Sequence, residues 1–335
     1  MSAYDAVLIP GDGIGPEVSA AAVRVMEAAG VEIRWHRFQA GKTALENGDD
    51  PLPSALLEAT REIGAALKGP ITTPVGSGFT SVNVAIRKEL DLFANLRPVK
   101  SIPGGEARYR DVDLVIVREN TEGLYNGEEV WENKDAVVAK KRVTRAGSLR
   151  VAEFAYRYAE KEGRRSVTTV HKANILKESD GLFLRCARER AKAYPGLKST
   201  DRIVDALCMD LVLDPGQHDV LLCPNLYGDI VSDLAAGLVG GLGLVPGANL
   251  GQKIGVFEAV HGSAPDIAGK GIANPTALVL AGAMLLDHIG EKEAGKRIQT
   301  AVHQLYAAGG PLTPDVGGTG TTEEVTNVLI AALNA

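Results

Sequence analysis

Short apolar runs alternate with stretches of helical spacing along nearly the whole chain, and that alternation restricts the fold to an α/β sheet covered on both faces. Residues 4–9 read as a buried strand, followed by a tight turn and a helix over 16–29 with Pro16 at its first position and Gly30 at its end. Further helices are expected over 54–63, 81–92, 145–161, 180–194, 276–289, 291–308 and 322–333, with strands over 31–38, 65–68, 112–117, 166–170, 199–204, 219–223 and 255–258. A chain of 335 residues is long for one core and predicts two domains. The first turn, Pro10-Gly-Asp-Gly-Ile-Gly15, invites a dinucleotide-fingerprint reading and fails it. Its glycines lack the G-x-G-x-x-G spacing, and the next strand does not end in a ribose-binding acid.

A net charge of −6 and a pI near 5.6 leave no basic excess for nucleic acid. Cys186, Cys208 and Cys223 are widely spaced and odd in number, which argues against a disulfide framework or a zinc knuckle and predicts a reducing cytoplasm. The apolar runs 234–246 and 275–286 are shorter than the ~20 residues of a membrane helix, and the N-terminus carries no signal-peptide pattern. No membrane partner is expected.

The chemistry gathers around Asn225-Leu-Tyr-Gly-Asp-Ile-Val-Ser-Asp233. Asp229 and Asp233 stand four apart in a helical pattern, so both carboxylates project from one face. With Asp205, at the end of a neighbouring strand, they make a hard oxygen set suited to Mg²⁺ or Mn²⁺ rather than zinc. Two lone aspartates in such a helix are also explained by capping and solvation. Arg87, Arg97 and Arg118, on loops and strand ends, suit bidentate grip of carboxylates, although each singly reads as a surface ion-pair residue. Ser81 is an N-cap whose neighbours would offer N–H groups to an anion. Residues 123–143 form a hairpin with little core of its own, an arm for another subunit. The loop 261–275 is long enough to be functional.

Gly11-Asp-Gly-Ile-Gly-Pro16, Arg118-Glu-Asn-Thr-Glu-Gly-Leu-Tyr125, His171-Lys-Ala-Asn174, Asn225-Leu-Tyr-Gly-Asp229 with Ser232-Asp-Leu-Ala-Ala-Gly237, Gly240-Gly-Leu-Gly243 and His261-Gly-Ser-Ala-Pro265 resemble, in order and over essentially the whole chain, the isocitrate/isopropylmalate dehydrogenases. The resemblance implies two α/β domains sharing a large mixed sheet. The large, cofactor-binding domain would be 1–98 with 246–335, and the small one 99–245, carrying a clasp at 123–143. It implies a homodimer or a higher oligomer with shared active sites: Lys172 and Asp205 would serve the partner's site, beside Asp229 and Asp233 of the first chain. The implied reaction is oxidation of a 2-hydroxy acid followed by loss of CO₂, with a divalent ion on Asp205, Asp229 and Asp233. Lys172, its pKa depressed by nearby cations and burial, would be the base, and Tyr125 the acid. Glu119 would help set the arginine cluster.

Within the resemblance, Arg87, Arg97 and Arg118 are the shared carboxylate clamp, and the pocket for the 3-substituent selects the substrate. Isocitrate enzymes place a serine and an asparagine at the positions of Ser81 and Asn83, where isopropylmalate enzymes are apolar. Isocitrate is therefore the expected substrate, with homoisocitrate or 3-isopropylmalate as alternatives; the reading of another class is a regulatory subunit without catalytic activity. The family's NAD enzymes carry an acid at the position of Asp266, followed here by Ile267, whereas NADP enzymes carry Lys-Tyr. NAD is expected, contacted by Thr73, Asn174, His261, Gly262, Ser263, Ala264, Asp266, Ile267 and Asn274.

Overall fold

The computed structural model describes residues 3–72, 81–104 and 107–335. The chain forms two compact units, one of residues 1–90, 101–110 and 239–335, the other of 91–100 and 111–238. The expected boundary at residue 98 thus falls inside a segment of the second unit. Each unit contains five strands of mixed sheet, with helices completing the α/β class.

The first unit begins with β1 (Tyr4–Ile9), α1 (Gly15–Ala28), β2 (Ile33–Arg37), a short α2 (Lys42–Glu46), α3 (Ser54–Ile63), β3 (Ala65–Lys68) and α4 (Val82–Glu89). β1 runs parallel to both β2 and β3. α4 ends at Glu89 rather than at 92, because Asp91 adopts φ 47°, which a helix does not tolerate.

The second unit opens with β4 (Ala94–Lys100), paired antiparallel to β5 (Asp113–Glu119). Next come the hairpin β6 (Glu129–Asn133) and β7 (Ala136–Ala139), α5 (Arg145–Lys161), β8 (Ser166–His171), α6 (Ser179–Ala191), β9 (Lys198–Ile203), α7 (Val204–Leu213), β10 (Val220–Cys223) and α8 (Asn225–Leu238). Its strand order is β4-β5-β10-β8-β9, parallel from β5 onward. β10 is buried at every residue, the mark of a strand covered on both faces. The hairpin is the opposite case: all five residues of β6 are exposed, Trp131 at 68%.

Returning to the first unit, β11 (Pro246–Leu250) pairs antiparallel with β12 (Gly255–Ala259), and β12 runs parallel to β3. The helices α9 (Thr276–His288), α10 (Lys292–Ala307) and α11 (Thr322–Asn334) complete it. Among the described residues no helix is long and apolar enough to cross a membrane.

Candidate active site

In the second unit, the antiparallel register sets Asn95 opposite Arg118 and Arg97 opposite Ile116. Arg97 and Arg118 are therefore diagonal neighbours on one face of the ladder, and Arg97 Nε donates to Asn95 Oδ1 at 2.8 Å. On α8, Asn225, Asp229, Ser232 and Asp233 fall at i, i+4, i+7 and i+8, one stripe of the helix. The two stripes meet. Arg118 Nη1 donates to Asp229 Oδ1, and Arg97 Nη1 donates to Ser232 Oγ and lies 3.5 Å from Asp233 Oδ1. Arg97 Nη2 is 3.7 Å from Asp229 Oδ1, and the Tyr125 hydroxyl donates to Asp229 Oδ2 at 2.5 Å.

Both guanidinium groups are buried, at 5% and 1% exposure, where an unpaired charge would be costly. Asn225 shares the load: its Oδ1 accepts from Arg118 Nε at 3.1 Å and Nη2 at 2.8 Å, and its Nδ2 donates to the Glu122 carbonyl and to Glu119 Oε2. Glu119 is linked to Arg118 through Asn225, and burial raises its carboxyl pKa against the N–H groups of Thr121 and Glu122. Gly228 makes the approach of α8 possible. A Cβ there would stand 2.7 Å from the Arg118 side chain.

Burial, then the bond to Asp229, raises the Tyr125 pKa, so the phenol keeps its proton. Burial also raises the Asp233 pKa, and the pull of Arg97 does not cancel it. A cation beside the two carboxylates would reverse that penalty, and Mg²⁺ is commonly held by one or two carboxylates with water and substrate oxygens completing its shell. These residues fit such an ion. Asp205 does not join them: it lies in the first turn of α7, largely exposed, and its carboxylate takes a hydrogen bond from Lys172 Nζ that lowers its pKa. Among the described residues of one chain, no three His, Cys, Asp or Glu side chains are placed to hold a metal. The charged partner found for Lys172 is that carboxylate, not the cations expected around it. Asn174 is exposed in the turn that follows.

In the first unit Ser81 caps α4, its Oγ accepting from the Val84 N–H at 3.5 Å. Asn83, in the first turn, has a buried Oδ1 without a hydrogen-bond partner. Arg87 is ion-paired rather than open. Its Nη2 lies 3.4 Å from Glu258 Oε1, while Lys68 Nζ sits 2.7 Å from Oε2 and Asn249 Nδ2 donates to Oε1 at 2.6 Å. Burial would raise the Glu258 pKa, but Lys68 and Arg87 reverse it and hold the carboxyl well below the usual range. A depressed pKa contributes stability that is complete above about pH 5 and is lost as pH falls toward the folded value. Glu258→Gln is therefore expected to cost about 3–5 kcal/mol at pH 7, because it leaves buried cations without their anion. Urea melts across pH should show the gap to the parent protein narrowing on acidification, and an equal gap at every pH would contradict the account.

The 261–275 segment is held by its first residues. Ile14 N–H donates to the Ser263 carbonyl at 2.9 Å, Thr72 Oγ1 and Ser263 Oγ are 2.6 Å apart, and a Cβ on Gly13 would collide with that carbonyl. Ala264 adopts φ 37°, unusual for a residue with a side chain and thus a local strain. His261 Nδ1 faces the Gly262 carbonyl at 2.9 Å, its Nε2 is buried without a partner, and burial lowers its pKa, leaving a neutral ring. A Cβ on Gly262 would meet nothing, and Asp266 is exposed. An orphaned ring nitrogen, an open main chain and a free carboxylate fit a polyhydroxylated nucleotide. Ile267 N–H closes the turn onto the Ala264 carbonyl at 3.1 Å. The Asn274 side chain, expected as an NAD contact, is engaged inside the unit by Thr276, Tyr306 and Asp315. Thr73 lies outside the described residues.

The sequence model described as isocitrate/isopropylmalate dehydrogenase matches residues 5–329. The mitochondrial NAD isocitrate dehydrogenase catalytic subunit 5 of Arabidopsis thaliana is 49% identical over 97% of this chain and 87% of its own. A mitochondrial regulatory subunit of the NAD isocitrate dehydrogenase of Dictyostelium discoideum is 47% identical over 96% and 90%. The chloroplastic 3-isopropylmalate dehydrogenase of Solanum tuberosum is 48% identical over 91% and 85%. The crystal structure of isocitrate dehydrogenase from Methylococcus capsulatus superposes with TM-score 0.96 at 50% identity, covering 99% of this chain and 100% of that one. The expected cytoplasmic location does not stand against relatives named as mitochondrial. Cys186, Cys208 and Cys223 are free thiols, which does not identify a compartment.

Proposed function

The chain belongs to the isocitrate/isopropylmalate dehydrogenase family, and we propose that it is a catalytic member, oxidising isocitrate to 2-oxoglutarate and CO₂ with NAD and a divalent cation. The observation that carries the reading is the convergence of Arg97, Arg118 and Tyr125 on Asp229 and Asp233. A regulatory chain has no need of an acid phenol, two buried guanidinium groups and a carboxylate pair in one cluster.

In this reading Arg97 and Arg118 hold substrate carboxylates, with Arg87 supporting from its own unit. Lys172, contributed with its ion-pair partner Asp205 by a second copy of the chain, takes the proton of the C2 hydroxyl while the C2 hydride leaves for the nicotinamide. The bond from C3 to its carboxylate then breaks, CO₂ departs, and the electron pair left at C3 is protonated by Tyr125, whose raised pKa keeps it in acid form. NAD supplies the two-electron acceptor, with Asp266 favouring a ribose hydroxyl over a phosphate. Mg²⁺ or Mn²⁺ on Asp229 and Asp233, with Asp205 of a second chain, supplies electrostatic stabilisation of the negative charge that develops on oxygen. The separation of Asp205 from the other two within one chain, and the exposed apolar hairpin residues Val130, Trp131, Val137 and Val138, favour an active site completed by a second copy of the chain, in a homodimer or a larger assembly.

Identity does not select the substrate, since isocitrate and isopropylmalate enzymes both stand near 48%. The choice rests on Ser81 and Asn83: an isopropyl group would leave the Asn83 amide unsatisfied at about 1–3 kcal/mol. A substrate-by-cofactor matrix on the pure protein with Mg²⁺ is expected to give kcat/KM for isocitrate with NAD roughly 100-fold or more above 3-isopropylmalate or homoisocitrate. Equal values for isopropylmalate would overturn the choice, and no turnover by the pure chain with any substrate would favour the regulatory reading.

A further inference from the structure

Asp180 has no part in the reaction just described, yet its carboxylate is wholly removed from solvent. It lies in the first turn of α6 and is fully buried. Its Oδ2 accepts the main-chain N–H of Lys172 at 2.7 Å, and its Oδ1 accepts from Lys141 Nζ, itself almost buried. Lys141 Nζ also lies 4.7 Å from the centre of the Tyr227 ring. Burial, then the charge of Asp180 and a hydrogen bond to it, pushes the Tyr227 phenol pKa far up, so the phenol stays protonated.

These groups come from four places in the chain. Lys141 lies two residues beyond β7, at the root of the hairpin. Lys172 follows β8, Asp180 opens α6, and Tyr227 stands in the first turn of α8, two residues before Asp229. The chain between Lys172 and Asp180 is short and turned: the N–H groups of Ile175 and Leu176 return to the Lys172 carbonyl, and those of Asp180 and Gly181 to Leu176. The carboxylate of Asp180 thus closes a loop onto the peptide that carries the Lys172 side chain. A mostly apolar cavity of about 50 Å³ lined by Leu124, Leu176, Leu226 and Tyr227 lies against Lys141.

The geometry points to Asp180 and Lys141 as positioning residues: a buried ion pair that fixes the main chain of Lys172 and ties its aim to the root of the hairpin. Asp180 restricts Lys172 at the backbone, leaving the side chain free to reach from its ion pair with Asp205 toward substrate. Lys141 pairs with the other oxygen of the carboxylate that accepts that N–H. A hairpin docked on another subunit would fix Lys141, and through Asp180 the base.

The proposal rests on the reading of Lys172 as the base, and the test separates the two. Lys141→Met and Asp180→Asn, purified as the assembly the parent chain forms, are expected to lower kcat about tenfold, since small displacements of a reacting group carry losses of up to about 100-fold. KM for isocitrate should stay within about twofold, because neither residue touches substrate in the reading above. Lys141→Arg, which restores the charge, should recover most of the loss. Unchanged kcat in folded Lys141→Met and Asp180→Asn, or a KM that rises in step with the fall in kcat, overturns the positioning role. Lys172→Ala runs alongside: if it retains full kcat the base reading itself fails, whereas an inactive Lys172→Ala beside unaffected Asp180 and Lys141 variants removes only the present inference.

Discussion

Asp229→Asn is expected to lower kcat/KM for isocitrate by about 10³-fold or more while leaving the protein folded. Asp229 is the acceptor on which Arg118, Tyr125 and, more distantly, Arg97 converge. The amide keeps the size of the side chain and one acceptor oxygen. It loses the charge that fixes the arginines and half of the carboxylate pair proposed for the cation. The stability effect should be small beside this. Asp229 is about one-third exposed but Arg118 is buried, so loss of the carboxylate is expected to cost about 1–3 kcal/mol, limited by Asn225, which still holds two of the guanidinium nitrogens. Steady-state kinetics with Mg²⁺ titrated to saturation, together with a thermal melt, separates the outcomes. A variant that melts like the parent and retains more than about a tenth of its kcat/KM would remove Asp229 from the centre of the mechanism.

The helices were the legible part of the fold. α3 and α5 fall on the residues read from periodicity, 54–63 and 145–161, because each buries one clear apolar stripe, and α5 is opened by Thr144 as N-cap. β4 was not legible. Pro98 sits inside it, and a proline argues against a strand unless the partner ladder can spare its N–H. β11, Pro-Gly-Ala-Asn-Leu, hides its strand character in the same way. Missing β4 had a consequence for the site. Arg97 could be seen only as one cation among several, whereas the pairing of β4 with β5 is what sets it diagonally beside Arg118.

The carboxylates of α8 were visible because a spacing of four is local, and Asn225 and Ser232 lie on the same stripe and were readable by the same rule. Arg87 shows where local reading stops. Its anionic partner, Glu258, is 171 positions away, and only the pairing of β12 with β3 brings Glu258 opposite Lys68. Of the three arginines, two lie on one face of a ladder in the second unit and the third is ion-paired within the first. Asp180 was invisible for a related reason. In sequence it is an acid in the first turn of a helix, ordinary for a helix dipole, and nothing local reports that its side chain is wholly buried.

Exchanging Asp266 for lysine together with Ile267 for tyrosine is expected to move the ratio of kcat/KM values for NAD and NADP by about 10³-fold toward NADP. Asp266 is exposed at the end of the turn closed by Ile267 and Ala264, so the exchange disturbs no buried contact and the fold should survive it. A carboxylate beside a phosphate dianion costs about 2 kcal/mol after solvent screening, and a lysine there returns a similar amount. The two changes act in the same direction, and about 4 kcal/mol is roughly three powers of ten. The effect should fade with ionic strength, as exposed charge pairs do, while kcat with saturating NADP stays near that of the parent with NAD, because hydride transfer occurs at the nicotinamide end. An unchanged ratio at low salt would mean that the cofactor's ribose is read elsewhere in the 261–275 segment. A ratio that shifts equally at high and low salt would mean that the exchange reshaped the loop, beginning from the strained Ala264, rather than reversing a charge.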